Sequence, residues 1–155
     1  MAILAKKLDK VRKHAEALQS YKSYIDTMAF DFDVAGFNRL SVPQKAVLEA
    51  YLRRFASLQD YLGAKVFASL LEHAGIGANK MSEVLTLIEK EGIISLDRWI
   101  TFRTVRNHLE HDYPDELEEA LEDLRFCVES FDEMMHIVDN VFAFAERCRA
   151  FSRNA

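Results

Sequence analysis

The sequence predicts an all-α protein, an up-and-down antiparallel bundle of four main helices plus one short helix. Two observations carry that expectation. The 155 residues include only five glycines and two prolines, with few alternating Val/Thr-rich runs, which weighs against a sheet. Apolar residues make up 50% of the chain, and they recur at three- and four-residue steps over long stretches, as one face of an α-helix requires. A chain of this length fits a single domain, 1–155, with an ordinary hydrophobic core, and no internal repeat or linker divides it.

The first helix is read from Leu4, Leu8, Val11, Ala15, Leu18 and Ile25, a stripe broken only by Lys22 and ending near Met28. FDFDVAGFNRL follows without a sustained period and reads as a connection packed by its own phenylalanines. Ser41 and Gln44 form a capping-box pair with Pro43 in the first turn, so a second helix starts there and runs to about His73. Its stripe is Leu48, Tyr51, Phe55, Leu58, Leu62, Val66 and Leu70, with Gly63 permitting a close helix approach. GIGAN stops it. A short helix over 80–91 turns Met81, Val84, Leu85 and Ile88 inward and ends at Gly92.

Ser95 is placed to cap the next helix, with Asp97 in its first turn, and Pro114 ends it near His111 or Asp112. The last pattern, Leu117, Leu121, Leu124, Val128, Phe131, Met135, Val138, Phe142 and Ala145, alternates four and three without a break. One straight helix of that length would span ~50 Å, longer than a compact core needs, so part of it is expected to bend or to serve a partner.

The net charge of −5 is unevenly spread. Residues 6–13, KKLDKVRK, hold six charges of which five are basic, while 112–123, DYPDELEEALED, hold seven acids and no base. Both read first as solvated helix faces, and a general nucleic-acid coat is not indicated. Charges begin after five residues, without a signal core or cleavage site, and no run approaches the ~18 apolar residues of a membrane span. The expectation is a cytoplasmic protein with no membrane contact. Cys127 and Cys148, twenty-one residues apart on one expected helix, cannot pair, which suits a reducing compartment.

The densest chemistry lies in RNHLEHDYPD, residues 106–115. On a helix Arg103, Arg106, Glu110 and Tyr113 fall near one line, flanked by Trp99, Phe102 and Leu109. An arginine bordering an apolar face needs a carboxylate or phosphate, because its guanidinium stays charged. Glu110, four residues on, can be that partner, and an intrahelical ion pair is the plain reading. His111 lies ~140° round from Arg106 at the helix end, where a cation suits the dipole.

His108, His111 and Asp112 offer too few ligands for a metal site, so none is expected, and no cofactor is implied. Glu133 and His136 have the Glu-x-x-His spacing of di-iron bundles, but without the further inward glutamates they read as a surface pair. The cysteines, without an adjacent base, read as packing residues.

Arg106-Asn-His-Leu-Glu-His111-Asp-Tyr113 resembles the R-x4-H-x-Y signature of HEPN domains, and more narrowly of HepT-type toxins encoded beside a minimal nucleotidyltransferase antitoxin. RRFASLQDYLGAKVF, Arg53 to Phe67, is similar to the second helix of the related nucleotidyltransferase substrate-binding subunits, and the resemblance extends from residue 1 to about 140. It implies a HEPN-like bundle acting as a homodimer, a metal-independent endoribonuclease whose partners are RNA and a cognate minimal nucleotidyltransferase antitoxin. By that resemblance Arg106 binds the scissile phosphate, His111 orients or activates the 2′-hydroxyl or protonates the leaving oxygen, and Asn107 positions either group. Arg103, one turn earlier, is added from spacing as a second phosphate contact. Tyr113 matches the tyrosine that the antitoxin modifies with adenylyl units. The alternative is a HEPN partner or substrate-binding subunit of a nucleotidyltransferase without ribonuclease activity; the intact motif favours the nuclease, and the net acidity favours the subunit.

Overall fold

The structure is a computed structural model that describes residues 2–111 and 116–154, apart from the side chains of residues 2, 110, 111 and 150–154. The described residues contain helices and no strand. In chain order the helices are α1 (Ala2–Asp26), α2 (Val34–Asn38), α3 (Val42–Tyr61), a π-helical segment (Leu62–Val66), α4 (Phe67–His73), α5 (Met81–Lys90), α6 (Leu96–His111), α7 (Leu117–Glu129) and α8 (Phe131–Asn154).

Helix α1 forms where its stripe requires it: Leu4, Val11, Leu18 and Ile25 are buried, and Leu8 and Ala15 pack half-buried beside them. Lys22 breaks the stripe without breaking the helix, because its ammonium pairs with Asp26 at 2.6 Å and lies 5.4 Å from the centre of the Phe131 ring. The following connection contains an element that the aperiodic sequence concealed. Asp33 Oδ1 accepts a hydrogen bond from Gly36 N at 2.6 Å and starts α2. A Cβ on Gly36 would lie 2.5 Å from the carbonyl oxygen of Asp31, so the turn closes only around glycine. Phe30 and Phe32 pack on each other there, with ring centres 4.7 Å apart.

The Ser41 capping box is present in both directions: Ser41 Oγ accepts from Gln44 N at 3.3 Å, and Gln44 Oε1 accepts from Ser41 N at 2.9 Å. Every residue of the expected stripe from Leu48 to Leu70 is buried. The chain runs from α3 into α4 through the π segment, where Phe67 N bonds to Leu62 O five residues back. Gly63 sits in that segment against the indole of Trp99, and a Cβ there would lie 3.3 Å from Cζ2. The close approach brings α6 onto the middle of this helix.

Gly75 and Gly92 adopt φ of 76° and 80° and end α4 and α5. In α5 Val84, Leu85 and Ile88 are buried as expected, but Met81 is 43% exposed. It occupies the first turn, before the helix reaches the core.

The last pattern is two helices rather than one. Ser130, with φ −89° and ψ 7°, separates α7 from α8 and is itself buried. The buried positions beyond it are Phe131, Met134, Ile137, Val138, Val141 and Phe144, whereas Met135 and Phe142 are only half-buried. The apolar face therefore rotates at the junction, and Cys127 and Cys148 lie on different helices as free thiols. Contacts give the directions: His14 meets Arg54 and Lys7 meets Ser69 across α1 and α3–α4, Arg12 meets Phe142 across α1 and α8, and Phe102 meets Phe126 across α6 and α7. α1 runs antiparallel to α3–α4 and to α8, and α6 to α7, around one core. No helix among the described residues is long and apolar enough to cross a membrane.

Candidate functional site

The site is built on the C-terminal half of α6. Its first turn is held from outside: Glu89 Oε2, on α5, accepts from Leu96 N at 2.5 Å, while Ser95 contributes its backbone oxygen to Trp99 N at 2.9 Å. Trp99 and Phe102 are buried, Val105 and Leu109 are half-buried, and Arg106 stands four residues after Phe102 on the same side. The core stripe thus gives way to a guanidinium in the C-terminal half of α6.

Arg106 is 20% exposed at its side chain. Its Nη1 lies 3.2 Å from Asp60 Oδ1 on α3, and its Nη2 donates to Asn107 Oδ1 at 3.1 Å. A carboxylate partner was expected within the helix at Glu110, whose side chain falls outside the described residues. Asp60 on α3, under a third of the chain away in sequence, is a carboxylate partner that the structure displays.

Between α3 and α6 a groove of about 420 Å³ opens beside this pair. Leu52, Ala56 and Leu109 form its floor, and Glu49, Arg53, Ser57, Asp60 and Arg106 its polar edge. The small side chains at Ala56 and Ser57 leave the space. The polar side chains are two guanidiniums, two carboxylates and a hydroxyl, so a phosphate can be taken here only where it replaces a carboxylate such as Asp60 on a guanidinium. Arg53 was not singled out from the sequence as a site residue, since only the packing of α3 on α6 shows that it shares a groove with Arg106.

The other candidates are distributed as follows. Asn107 is exposed and bonded to Arg106. Arg103 is exposed one turn before Arg106 and is not among the residues that line the groove. His111 is the last residue of α6, five residues after Arg106, and its side chain lies outside the described residues. Tyr113 also lies outside them. His108 Nδ1 is 3.9 Å from Asp123 Oδ2 on α7. No cluster of three metal-ligating side chains occurs among the described residues.

Glu133 is not paired with His136. It accepts from Arg98 on α6, with Nη2 to Oε1 at 3.0 Å, and Arg98 lies over the rings of Phe102 and Phe126. Burial pushes the thiols of Cys127 and Cys148 up from their ordinary value, so neither is a ready nucleophile.

Comparison with family models, with curated proteins and with solved structures finds no match.

Proposed function

We propose that this chain is a HEPN-type, metal-independent endoribonuclease, the toxin of a toxin–antitoxin pair, acting as a homodimer and restrained by a cognate minimal nucleotidyltransferase. The observation that carries the reading is the position of Arg106: the arginine of the R-x4-H-x-Y motif stands at the edge of an open groove, close to the end of α6 where His111 follows. A guanidinium in that position can exchange the Asp60 carboxylate for a phosphate, because Asp60 is largely exposed and easily rehydrated.

The chemistry needs no metal. The RNA 2′-oxygen attacks phosphorus in line, the bond from phosphorus to the 5′-oxygen breaks, and a 2′,3′-cyclic phosphate and a 5′-hydroxyl result. The proton leaves the 2′-hydroxyl and one must reach the departing 5′-oxygen, and His111 serves one of these transfers. Arg106 holds the phosphate and balances the charge that builds on it, with Asn107 fixing the guanidinium plane. Two copies of the motif facing each other across a dimer would concentrate positive potential on an acidic protein. Adenylylation of Tyr113, two residues beyond His111, adds negative charge beside the cleft and repels RNA.

One observation favours a second reading. Arg106 is paired with Asp60, and Glu49 also edges the groove, which suits a HEPN subunit that docks a nucleotidyltransferase without cutting RNA. Induced expression separates the two. The nuclease reading expects growth arrest with the wild type and none with folded Arg106→Ala or His111→Ala proteins. Normal growth with abundant, folded wild-type protein and no antitoxin present supports the subunit instead.

A further inference from the structure

A second cationic cluster lies on the opposite flank of α3 and takes no part in the site described above. Arg54 Nη1 is 3.2 Å from His14 Nδ1 on α1. Lys10 Nζ stands 4.6 Å from the centre of the Tyr61 ring, and the His14 ring is 6.0 Å from the same ring. Guanidinium nitrogens only donate, so Nδ1 of His14 is the acceptor and the imidazole is neutral when this bond is made. Burial, then Arg54 and then Lys10, lower the pKa of His14 in agreement with that arrangement.

Three cations of α1 are neutralised locally, Arg12 and Lys13 by Asp9 and Lys22 by Asp26, while Lys7 meets the Ser69 hydroxyl. Lys10 and Arg54 have no such carboxylate among the described residues. Two cations, a polarised imidazole and a tyrosine ring are therefore gathered without counter-charge on a protein of net charge −5. Adjacent residues of α3 join this cluster to the groove. Arg53 edges the groove while Arg54 faces α1, and Asp60 pairs with Arg106 while Tyr61 faces Lys10.

We propose that Lys10, Arg54 and Tyr61, with His14 positioning Arg54, form a second subsite for single-stranded RNA, continuing over α3 from the groove at Arg106. The inference rests on the ribonuclease reading for the identity of its ligand. Lys10 and Arg54 take backbone phosphates, and Tyr61 offers its ring to a base once exposed Lys10 swings from the ring face to a phosphate. The pairing of basic groups with an aromatic surface is what sequence-tolerant single-strand binding uses. A substrate strand held on both flanks of α3 would be anchored away from the scissile bond.

The test uses the full chain and a fluorescent single-stranded RNA of about ten nucleotides, 2′-O-methylated so that it cannot be cut, with anisotropy read over a series of salt concentrations. Lys10→Glu and Tyr61→Leu are expected to weaken binding several-fold, and Lys10→Glu to lower the salt slope by about 1. Lys90→Glu on α5, the same change of charge outside the band, leaves binding unchanged. Arg54→Ala is read only after a melt shows it folded, and the exposed Lys10 variant stands without it.

Wild-type-like binding by both Lys10→Glu and Tyr61→Leu overturns the subsite, as does equal weakening by Lys90→Glu or failure of the wild type to bind. Cleavage of unmodified RNA, compared between wild type and His111→Ala, judges the nuclease reading separately. Binding that depends on Lys10 in a protein that cuts nothing keeps the subsite and removes the nuclease.

Discussion

Arg106 bears two relations at once, to Asp60 across the helix interface and to Asn107 on its own helix, and the account depends on the first being weak. Asp60 is 59% exposed at its side chain, so the pair contributes within about 1 kcal/mol to stability. Asp60→Asn should lower the unfolding free energy from a urea titration by no more than that while leaving RNA cleavage intact or faster. A large loss of stability with no effect on cleavage would assign Arg106 to structure. A stronger polar contact lies deeper, where Tyr51 OH donates to Cys127 O at 2.7 Å and ties α3 to α7. Tyr51→Phe leaves that buried carbonyl unsatisfied and should cost about 1–3 kcal/mol in a denaturant titration. His14 provides a pH test. Its pKa is lowered in the folded protein, so below the free value of 6.5 the unfolded chain binds more protons than the folded one. Stability should fall as pH drops through that range, and less steeply in His14→Gln, as thermal melts across mildly acidic buffers would show.

At the scale of elements, the bundle was legible wherever a single stripe faces the core. The second helix was readable to its cap, because Ser41 and Gln44 satisfy each other's backbone and the stripe from Leu48 to Leu70 never lapses. The break at Ser130 was not readable. Phe131 follows Val128 by three residues, which continues the pattern in one dimension whether or not the axis turns. The short α2 was hidden for a different reason: five residues carry no period, and the signal was the cap at Asp33 with Gly36 three residues later. The close approach expected at Gly63 is realised against Trp99 within a π segment, whose extra residue per turn no stripe reveals. Gly63→Val should overpack that contact and cost about 1–3 kcal/mol, with the sole tryptophan's buried, blue-shifted fluorescence moving to the red. Unchanged stability and emission would mean that α6 can retreat from α3.

For the whole molecule, charge is organised by flank rather than by total. The motif was visible as a run of reactive residue types near the end of α6, but its groove was not, since Arg53 and Asp60 enter from α3, about fifty residues earlier in the chain. The same holds for the cluster of Lys10, His14, Arg54 and Tyr61, which exists only because α1 and α3 run antiparallel. A locally spaced motif can be read from a sequence, whereas a surface assembled from two helices needs their packing. The central claim is that Arg106 and His111 together cut RNA without a metal. Its most direct measurement is cleavage of a defined single-stranded RNA by purified protein in excess chelator, with product ends identified by mass spectrometry. The account predicts fragments ending in 2′,3′-cyclic phosphate and 5′-hydroxyl from the wild type, and none from folded Arg106→Ala or His111→Ala. Intact RNA with all three proteins, or equal cleavage by all three, would contradict it.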